Sequence, residues 1–303
     1  MLEKIKEVPF IEESKAVKVG VQNGKLYLER NTRVIWASEV IDLDVEGLNC
    51  YVEADKFFNL LPEIKYLKQT TCLEVQLKNG ARYTLPFLTV EWETLQMLSG
   101  EETETINFKL DDLMLCTLKN LVKPELQCVY IDSEGAISCD FISACITDIV
   151  KSTQPILLPP DVQELTSGRI CQVTVTEDTL YFASSNFNII TARPSLSEEA
   201  KQDFVGLREM SNGATGFTAV DKLQEGLRRL VLFGDFISFE ADRAVVGENF
   251  EPFNFRELAG LKYEIECLRK VILTASEITE LQGNLILKNT SSRFLVSAVQ
   301  EDE

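Results

Sequence analysis

One order of elements recurs three times in this chain, and that repeat constrains the fold more than any single motif. Tyr51 to Phe87 reads as a short strand, a short helix and a hairpin turning at Asn79-Gly80. The same order returns from Ile156 to Pro194 and again from Tyr263 to Val299. The strand starts at Tyr51, Ile156 and Tyr263 are 105 and 107 residues apart. A period that long signals tandem copies of one small domain, and residue identity between the copies is slight. What repeats is the pattern.

Within the first copy, Leu73, Val75 and Leu77 alternate with Glu74, Gln76 and Lys78, the period of a half-buried antiparallel strand. The helix from Ala54 to Leu61 is expected to stop at Pro62. Asn23-Gly24, between Val17–Gly20 and Lys25–Leu28, favours a two-residue hairpin turn, and Val34 to Ile41 reads as a strand. The acidic stretch Gly100 to Glu104 reads as a first linker, followed by a strand and by Asp111 as a helix N-cap. Leu110, Leu113, Met114, Thr117, Leu118 and Leu121 then share one helical face. Cys128–Asp132 and Ala136–Asp140 form a hairpin around Ser133-Glu134-Gly135. Ser195 to Gly206 reads as a second acidic linker and Ser211-Asn212-Gly213 as a loop. Beyond it Asp221 is a second N-cap, with Leu223, Leu227, Leu230 and Val231 on one face, and strands follow at Phe236–Ala241 and Arg243–Val246. These breaks divide the chain into expected domains 1–103, 104–210 and 211–303, each roughly doubled. The first half of the first domain lacks a helix unless MLEKIKEV supplies one.

Several classes of function are disfavoured by composition. The chain has no histidine, which removes Ser-His and Cys-His nucleophiles and the commonest metal ligand. Its eight cysteines show no CxxC pair, so neither a disulfide framework nor a zinc site is expected. No Gly-rich phosphate loop or nucleophile elbow occurs. The carboxylate pairs Asp111-Asp112 and Glu198-Glu199 read as helix-start and linker charge rather than acid–base machinery. No apolar run approaches the roughly 20 residues of a membrane span, and the N-terminus lacks a signal-peptide layout. A non-enzymatic cytoplasmic protein without metal or cofactor is the expectation. A net charge of −18 speaks against nucleic acid in total, though not in distribution.

Three copies of a doubled strand–helix–antiparallel-strand unit on an acidic chain resemble the bacterial DNA sliding clamp, the β subunit of DNA polymerase III. The closest local matches are Val52-Glu53-Ala54-Asp55-Lys56-Phe57-Phe58, the run Leu157 to Leu165 (LLPPDVQEL) and Phe294 to Val299 (FLVSAV). The family's Thr-Asp-Gly-His-Arg-Leu segment stands here as Cys139-Asp140-Phe141-Ile142-Ser143-Ala144, where only the Asp matches. Such losses fit a divergent or phage-encoded member.

The resemblance implies an α+β fold of three tandem clamp domains, with antiparallel sheets outside, two helices inside each domain, and a ring closed by a head-to-tail homodimer. It implies a processivity factor that encircles double-stranded DNA without reading sequence. The polymerase and the clamp loader would dock through short apolar peptides. Helix cations would face DNA: Lys56, Lys119, Lys123, Lys222, Arg228, Arg229, Arg269 and Lys270, with Lys65 and Lys68 just beyond the first helix. Asp55, Asp111, Asp112, Asp161 and Glu225 on the same helices keep the enrichment modest. Ile142, Ala144, Ala298 and Val299 would line the partner-peptide groove, and Tyr83, Leu85, Leu230 and Val231 the dimer interface. A trimeric clamp of eukaryotic type uses two domains per chain, against three counted here. A repeat-built interaction scaffold that does not encircle DNA is the alternative from a different class.

Overall fold

The fold was analysed in a computed structural model that describes residues 15–31, 35–90, 103–117, 124–140, 142–220, 225–226, 229–230, 232–253 and 256–299. In chain order, β1 (Ala16–Gln22), β2 (Lys25–Asn31), β3 (Ile35–Asp44) and β4 (Asn49–Glu53) lead to α1 (Ala54–Leu60) and then β5 (Ile64–Gln69), β6 (Leu73–Leu77) and β7 (Arg82–Leu85). Next come β8 (Thr103–Asn107), β9 (Val129–Ile131), β10 (Ala136–Cys139), β11 (Ser143–Thr147), β12 (Ile156–Leu158), α2 (Pro160–Thr166), β13 (Ile170–Val175), β14 (Thr179–Ala183) and β15 (Phe187–Ala192). The last stretch holds α3 (Glu198–Gly213), β16 (Thr218–Ala219), β17 (Phe236–Phe239), β18 (Arg243–Val246), β19 (Asn249–Pro252), β20 (Lys262–Glu264), α4 (Ile265–Ile272), β21 (Glu277–Leu281), β22 (Asn284–Lys288) and β23 (Ser292–Ser297).

This is the α+β architecture expected, mostly antiparallel sheet with few helices. Strand order shows the repeat more plainly than sequence does. The orders β4-β1-β2-β3, β12-β9-β10-β11 and β20-β17-β18-β19 are one plan used three times. The second plan, a strand and a helix followed by three antiparallel strands, also appears three times, ending in β7, β15 and β23. The repeat sought in sequence as a hairpin thus contains a further strand, β5 or β21, in the copies where it was not anticipated.

Contacts divide the chain into two compact units. The first, residues 1–108 and 161–193, holds an eight-stranded sheet ordered β4-β1-β2-β3-β15-β14-β13-β8 and the three-stranded sheet β5-β6-β7. Asn23 and Gly24 adopt φ values of 53° and 76°, so the β1–β2 turn has the two left-handed residues that match strand twist. Val17, Val19, Leu26, Leu28 and Val52 form a buried face joined by Phe57 and Phe58 of α1. The α-helix ends at Leu60 and Pro62 sits in a following 3₁₀ turn. At the second hairpin, Asn79 Oδ1 accepts from Ala81 N (2.9 Å) and Gly80 has φ 89°.

The second unit, residues 109–160 and 194–303, holds the eight-stranded sheet β12-β9-β10-β11-β23-β22-β21-β16 and the four-stranded sheet β19-β18-β17-β20. Gly135 turns β9 into β10 at φ 152°, where an added Cβ would lie 2.1 Å from the Thr147 carbonyl oxygen, so no other residue fits.

Three expectations change here. The helix foreseen after Asp111 is a 3₁₀ turn, Leu113–Cys116; its N-cap is Asp112, which makes no side-chain cap bond and instead accepts from Asn289 Nδ2 (3.0 Å). Thr103 and Glu104, placed in a linker, belong to β8 and pair with Thr174 and Val173. The second acidic linker and its loop are α3, which at 16 residues is the longest helix described. Ser197 caps it by accepting from Ala200 N (3.2 Å), with Glu198 and Glu199 in the first turn where helix-dipole charge favours them. MLEKIKEV, Leu118, Leu121, Asp221, Leu223 and Leu227 lie outside the described residues.

Candidate partner-binding groove and open sheet edges

The groove is built at the turn between β10 and β11. Asp140, the one residue shared with the family motif, is a turn-former: its Oδ1 accepts from Ser143 N (2.6 Å), Ser143 Oγ (2.9 Å) and Ile142 N (3.2 Å). That turn leaves Ile142 36% exposed while Ala144 pairs with Leu295 of β23 and is buried. Across from them lies α3, and two side chains anchor its inner side, Phe204 and Arg208. Phe204 stacks on Tyr130 with ring centroids 5.1 Å apart and planes 10° from parallel. Arg208, only 6% exposed, donates twice to the Asp132 carboxylate (2.8 and 2.9 Å) and once to Glu134 (3.2 Å). Burial pushes the Asp132 pKa up, but Arg208 and the Glu134 and Gly135 N–H groups outweigh it and hold the carboxyl below its usual range.

Between the sheet and α3 a groove of about 390 Å³ remains. Leu126, Ile142, Ala144, Leu207, Met210 and Leu295 make it apolar, and Gln202, Asp203 and Gly206 of α3 form one lip. Ile142 and Ala144 thus come together on the groove. Ser297 and Leu295 reach it from β23, while Ala298 and Val299 are not among its lining residues and Val299 N donates to Lys262 O (2.8 Å). Sequence reading missed the whole α3 wall, although Ser197 followed by Glu198-Glu199 is a helix-start signal.

The helix cations are heavily paired. Lys56 Nζ lies 2.6 Å from Glu53, Arg229 bonds Glu251 (2.5 Å) and Glu225 (3.1 Å), and Arg269 sits 3.8 Å from Glu266. Lys270 is exposed in the last turn of α4. Lys119, Lys123, Lys222 and Arg228 lie outside the described residues.

Among the described residues, β7 and β19 are two of the strands that end their sheets. On β7, Tyr83 is paired with Val75, which is 1% exposed, yet Tyr83 itself is 46% exposed, and among the described residues no strand of its sheet lies beyond it. Leu85 on the same strand is buried. On β19, Phe250 is 56% exposed, and Leu232 (80%) and Phe233 (56%) border a hollow shared with Arg229 and Leu230. Leu230 is itself buried and Val231 lies outside the described residues. Leu232, Phe233 and Phe250 were not foreseen.

All eight cysteines are free thiols, and burial pushes Cys116 and Cys128 up to about 12, far from reactive thiolates. Among the described residues no group of three or more His, Cys, Asp or Glu is placed to hold a metal, and no helix is long and apolar enough to cross a membrane.

No protein-family model and no curated protein matches this sequence. Solved structures do match in fold. The DNA polymerase III β chain of Streptococcus pneumoniae superposes with TM-score 0.76 at 12% identity, covering 99% of this chain and 96% of that one. The β subunit of Pseudomonas aeruginosa gives 0.74 at 12%, covering 99% and 97%. The Helicobacter pylori β clamp, solved with a DNA ligase peptide, gives 0.75 at 11%, covering 99% and 96%. The chain therefore has the fold of the DNA polymerase III β sliding clamps, matched over 99% of its length.

Proposed function

We propose that this protein is a DNA sliding clamp, a non-catalytic processivity factor. In this reading it has three clamp domains, 1–103, 104–210 and 211–303, and two copies close head to tail around double-stranded DNA in the cytoplasm. The replicative polymerase and the clamp loader dock by short apolar peptides in the groove beside Ile142 and Ala144.

One observation carries the reading. Each four-stranded plan ends in a third strand, β3, β11 or β19, and each three-stranded plan ends in β7, β15 or β23. Two of the three possible joints are filled within the chain, β3 on β15 and β11 on β23. The counterparts left over are β7 and β19, each at the edge of its sheet among the described residues and beside exposed apolar side chains. A second copy supplies the missing partner for both, and such a heterologous contact closes after two subunits. On this account Tyr83 and Leu85 meet Leu230, Val231 and the neighbouring Leu232, Phe233 and Phe250.

Light scattering over a concentration series is expected to show a dimer, and Tyr83→Asp or Phe250→Asp to shift it to monomer. A monomer throughout for the unaltered protein sinks the ring. Protein loaded on nicked circular DNA should slide off once the circle is cut, whereas retention indifferent to DNA ends would mean ordinary surface binding. Arg269→Glu with Lys270→Glu, both exposed on α4 and outside β7 and β19, should weaken loading and leave the dimer intact.

A second reading, a repeat-built scaffold that does not encircle DNA, draws on the pairing of Lys56, Arg229 and Arg269 with neighbouring carboxylates. Phosphate attraction needs cations whose charge is available to DNA. The sliding assay separates the two.

A further inference from the structure

We infer that Arg293 is the positioning residue of the partner groove: from β23 it holds the last turn of α3, and with it the groove wall, at a set distance from the groove floor. This role rests on the peptide-groove reading above and adds to it the residue that keeps the groove in shape.

Both inner anchors of α3 reach the same side of the sheet. Phe204 stacks on Tyr130 of β9, and Arg208 is held by Asp132 and Glu134 just beyond that strand. The groove floor lies elsewhere, at Ala144 of β11 and Leu295 of β23. Strands β10 and β11 separate β9 from β23, which puts β23 roughly 14 Å from the anchored strand at about 4.8 Å per strand. Phe204 and Arg208 are four residues apart and share one face of the helix. Two contacts along one line hold a helix down but resist its rolling about that line only weakly. Such a roll would carry the wall residues Leu207 and Met210 toward or away from the floor.

Arg293 supplies a restraint from the floor side. Its Nη1 donates to Ser211 O (2.9 Å) and to Asn212 Oδ1 (2.9 Å). Ser211 follows Met210 directly and Leu207 by four residues, so the bonded turn is the one that carries the wall. On β23, Arg293 stands two residues before Leu295 and on the same face. One side chain thus links the strand of the floor to the helix of the wall. The last turn of α3 has no basic residue of its own, so its terminal carbonyls receive from β23 the cation that the helix dipole favours. The guanidinium is a planar fork with donors in fixed directions, and it therefore specifies a position as well as a charge. Asn284 of β22 adds a softer contact, from Nδ2 to Met210 Sδ at 3.6 Å.

The test follows two readouts in the full chain. A fluorescein-labelled peptide with Leu and Phe anchors, titrated by fluorescence anisotropy, reports the groove. Gly206→Trp is the blocking control: a Cβ there meets no atom within 4 Å, so the side chain can fill the groove mouth without disturbing the fold. Amide hydrogen exchange reports α3 with no ligand present. Arg293→Met keeps an unbranched side chain and removes the donors. It should weaken the peptide about tenfold, the share of a hydrogen bond to a charged group. Exchange should speed up about tenfold over residues 207–213 while residues 200–204 exchange as in the parent. Arg293→Lys keeps a cation that can donate to both acceptors and should recover most of the affinity. Unchanged exchange in Arg293→Met overturns the restraint itself. Faster exchange with unchanged peptide affinity overturns its role in the groove. A Lys variant that binds no better than the Met one overturns positioning by donated bonds. A parent that binds the peptide no more tightly than Gly206→Trp overturns the groove reading, and with it the role of Arg293 there, whatever the exchange shows.

Discussion

The two eight-stranded sheets share a strand order and treat one face in opposite ways. In the first unit that face carries a polar cluster of Lys18, Tyr27, Glu29 and Ser38: Lys18 Nζ lies 3.3 Å and Tyr27 OH 3.0 Å from Glu29 Oε2, and Glu29 pairs across the ladder with both Lys18 and Ser38. In the second unit the matching face carries Tyr130, Ile137, Cys139, Ala144 and Leu295, and α3 lies on it through Ala200 and Phe204. Backbone ladders fix the topology in both. The side chains of one face decide whether that face holds a buried ion pair or an apolar surface on which a helix lies and leaves a groove. On the first face the buried Glu29 carboxylate is held by Lys18 and Tyr27 beside the buried Trp36 and Ile190. An apolar face must bury itself, and on the second sheet it does so incompletely.

The largest expected effect breaks the covering of the second sheet. Phe204 is fully buried and stacked on Tyr130, so Phe204→Ala removes both apolar burial and the ring contact. The expected cost is about 4 kcal/mol in urea unfolding. Protease cleavage within α3 should rise in step. A loss under 1 kcal/mol would mean that α3 rests on the sheet without being held by it, and the contrast between the sheets would lose its physical basis.

Arg208→Met tests the other anchor. It leaves the Asp132 carboxylate, 13% exposed, without its bidentate partner, at an expected cost of about 3 kcal/mol at neutral pH. The pH dependence has a definite sign. Because the folded-state pKa of Asp132 is depressed, its contribution is complete above the ordinary carboxylate pKa of about 4 and is lost as pH falls below it. The stability gap between the parent and Arg208→Met should therefore narrow from about pH 5 downward. A gap constant across that window would show that Arg208 acts by packing alone.

These two anchors also explain what was legible in the sequence. Turns that demand left-handed backbone announced themselves, as Asn23-Gly24 did, because few residues tolerate that conformation. The three-fold order was visible because the strand–helix–hairpin plan keeps its spacing when residues change. Helix α3 was hidden, since its buried positions are Ala200, Phe204, Arg208 and Ser211, of which two are polar. The apolar positions Ala200, Phe204, Leu207 and Met210 are interrupted on the same face by Arg208 and Ser211, which weakens the periodic signal, and the partner of Arg208 lies 76 residues earlier. The groove was half legible for the same reason: Ile142 and Ala144 sit on a patterned strand end, whereas Asp203, Gly206 and Leu207 belong to the unseen helix. Strand β19 escaped because Asn249–Pro252 is four residues long and ends in proline.

The polar cluster of the first unit should yield less when cut. Lys18→Met removes a cation from Glu29, whose side chain is 3% exposed, but Tyr27 OH still donates to the same oxygen. Burial, reinforced by the Glu29 charge, pushes the Tyr27 pKa well above its ordinary value, so the phenol keeps its proton and remains a donor throughout the working range. The expected loss is about 1–2 kcal/mol, smaller than for Arg208→Met because one charge-assisted hydrogen bond survives. The double change Lys18→Met with Tyr27→Phe should cost more than the two single changes added together, since only then is the carboxylate stripped of both groups. Strict additivity would show that the polar cluster is not coupled.

The smallest effect is a gain. Gly206 occupies an interior position of α3 with open space where a Cβ would stand. Glycine there costs the helix backbone entropy, so Gly206→Ala should stabilise the second unit by about 0.5–1 kcal/mol. Peptide binding should hold steady, because one methyl group at the lip is far smaller than the groove of about 390 Å³. A weaker peptide affinity in Gly206→Ala would be the more informative result. It would mean that the helix must flex at this glycine to admit its ligand, making the covering of the second sheet a movable one. Stability and affinity measured on the same preparation decide between a rigid wall, which gains the first and keeps the second, and a yielding one, which trades the second for the first.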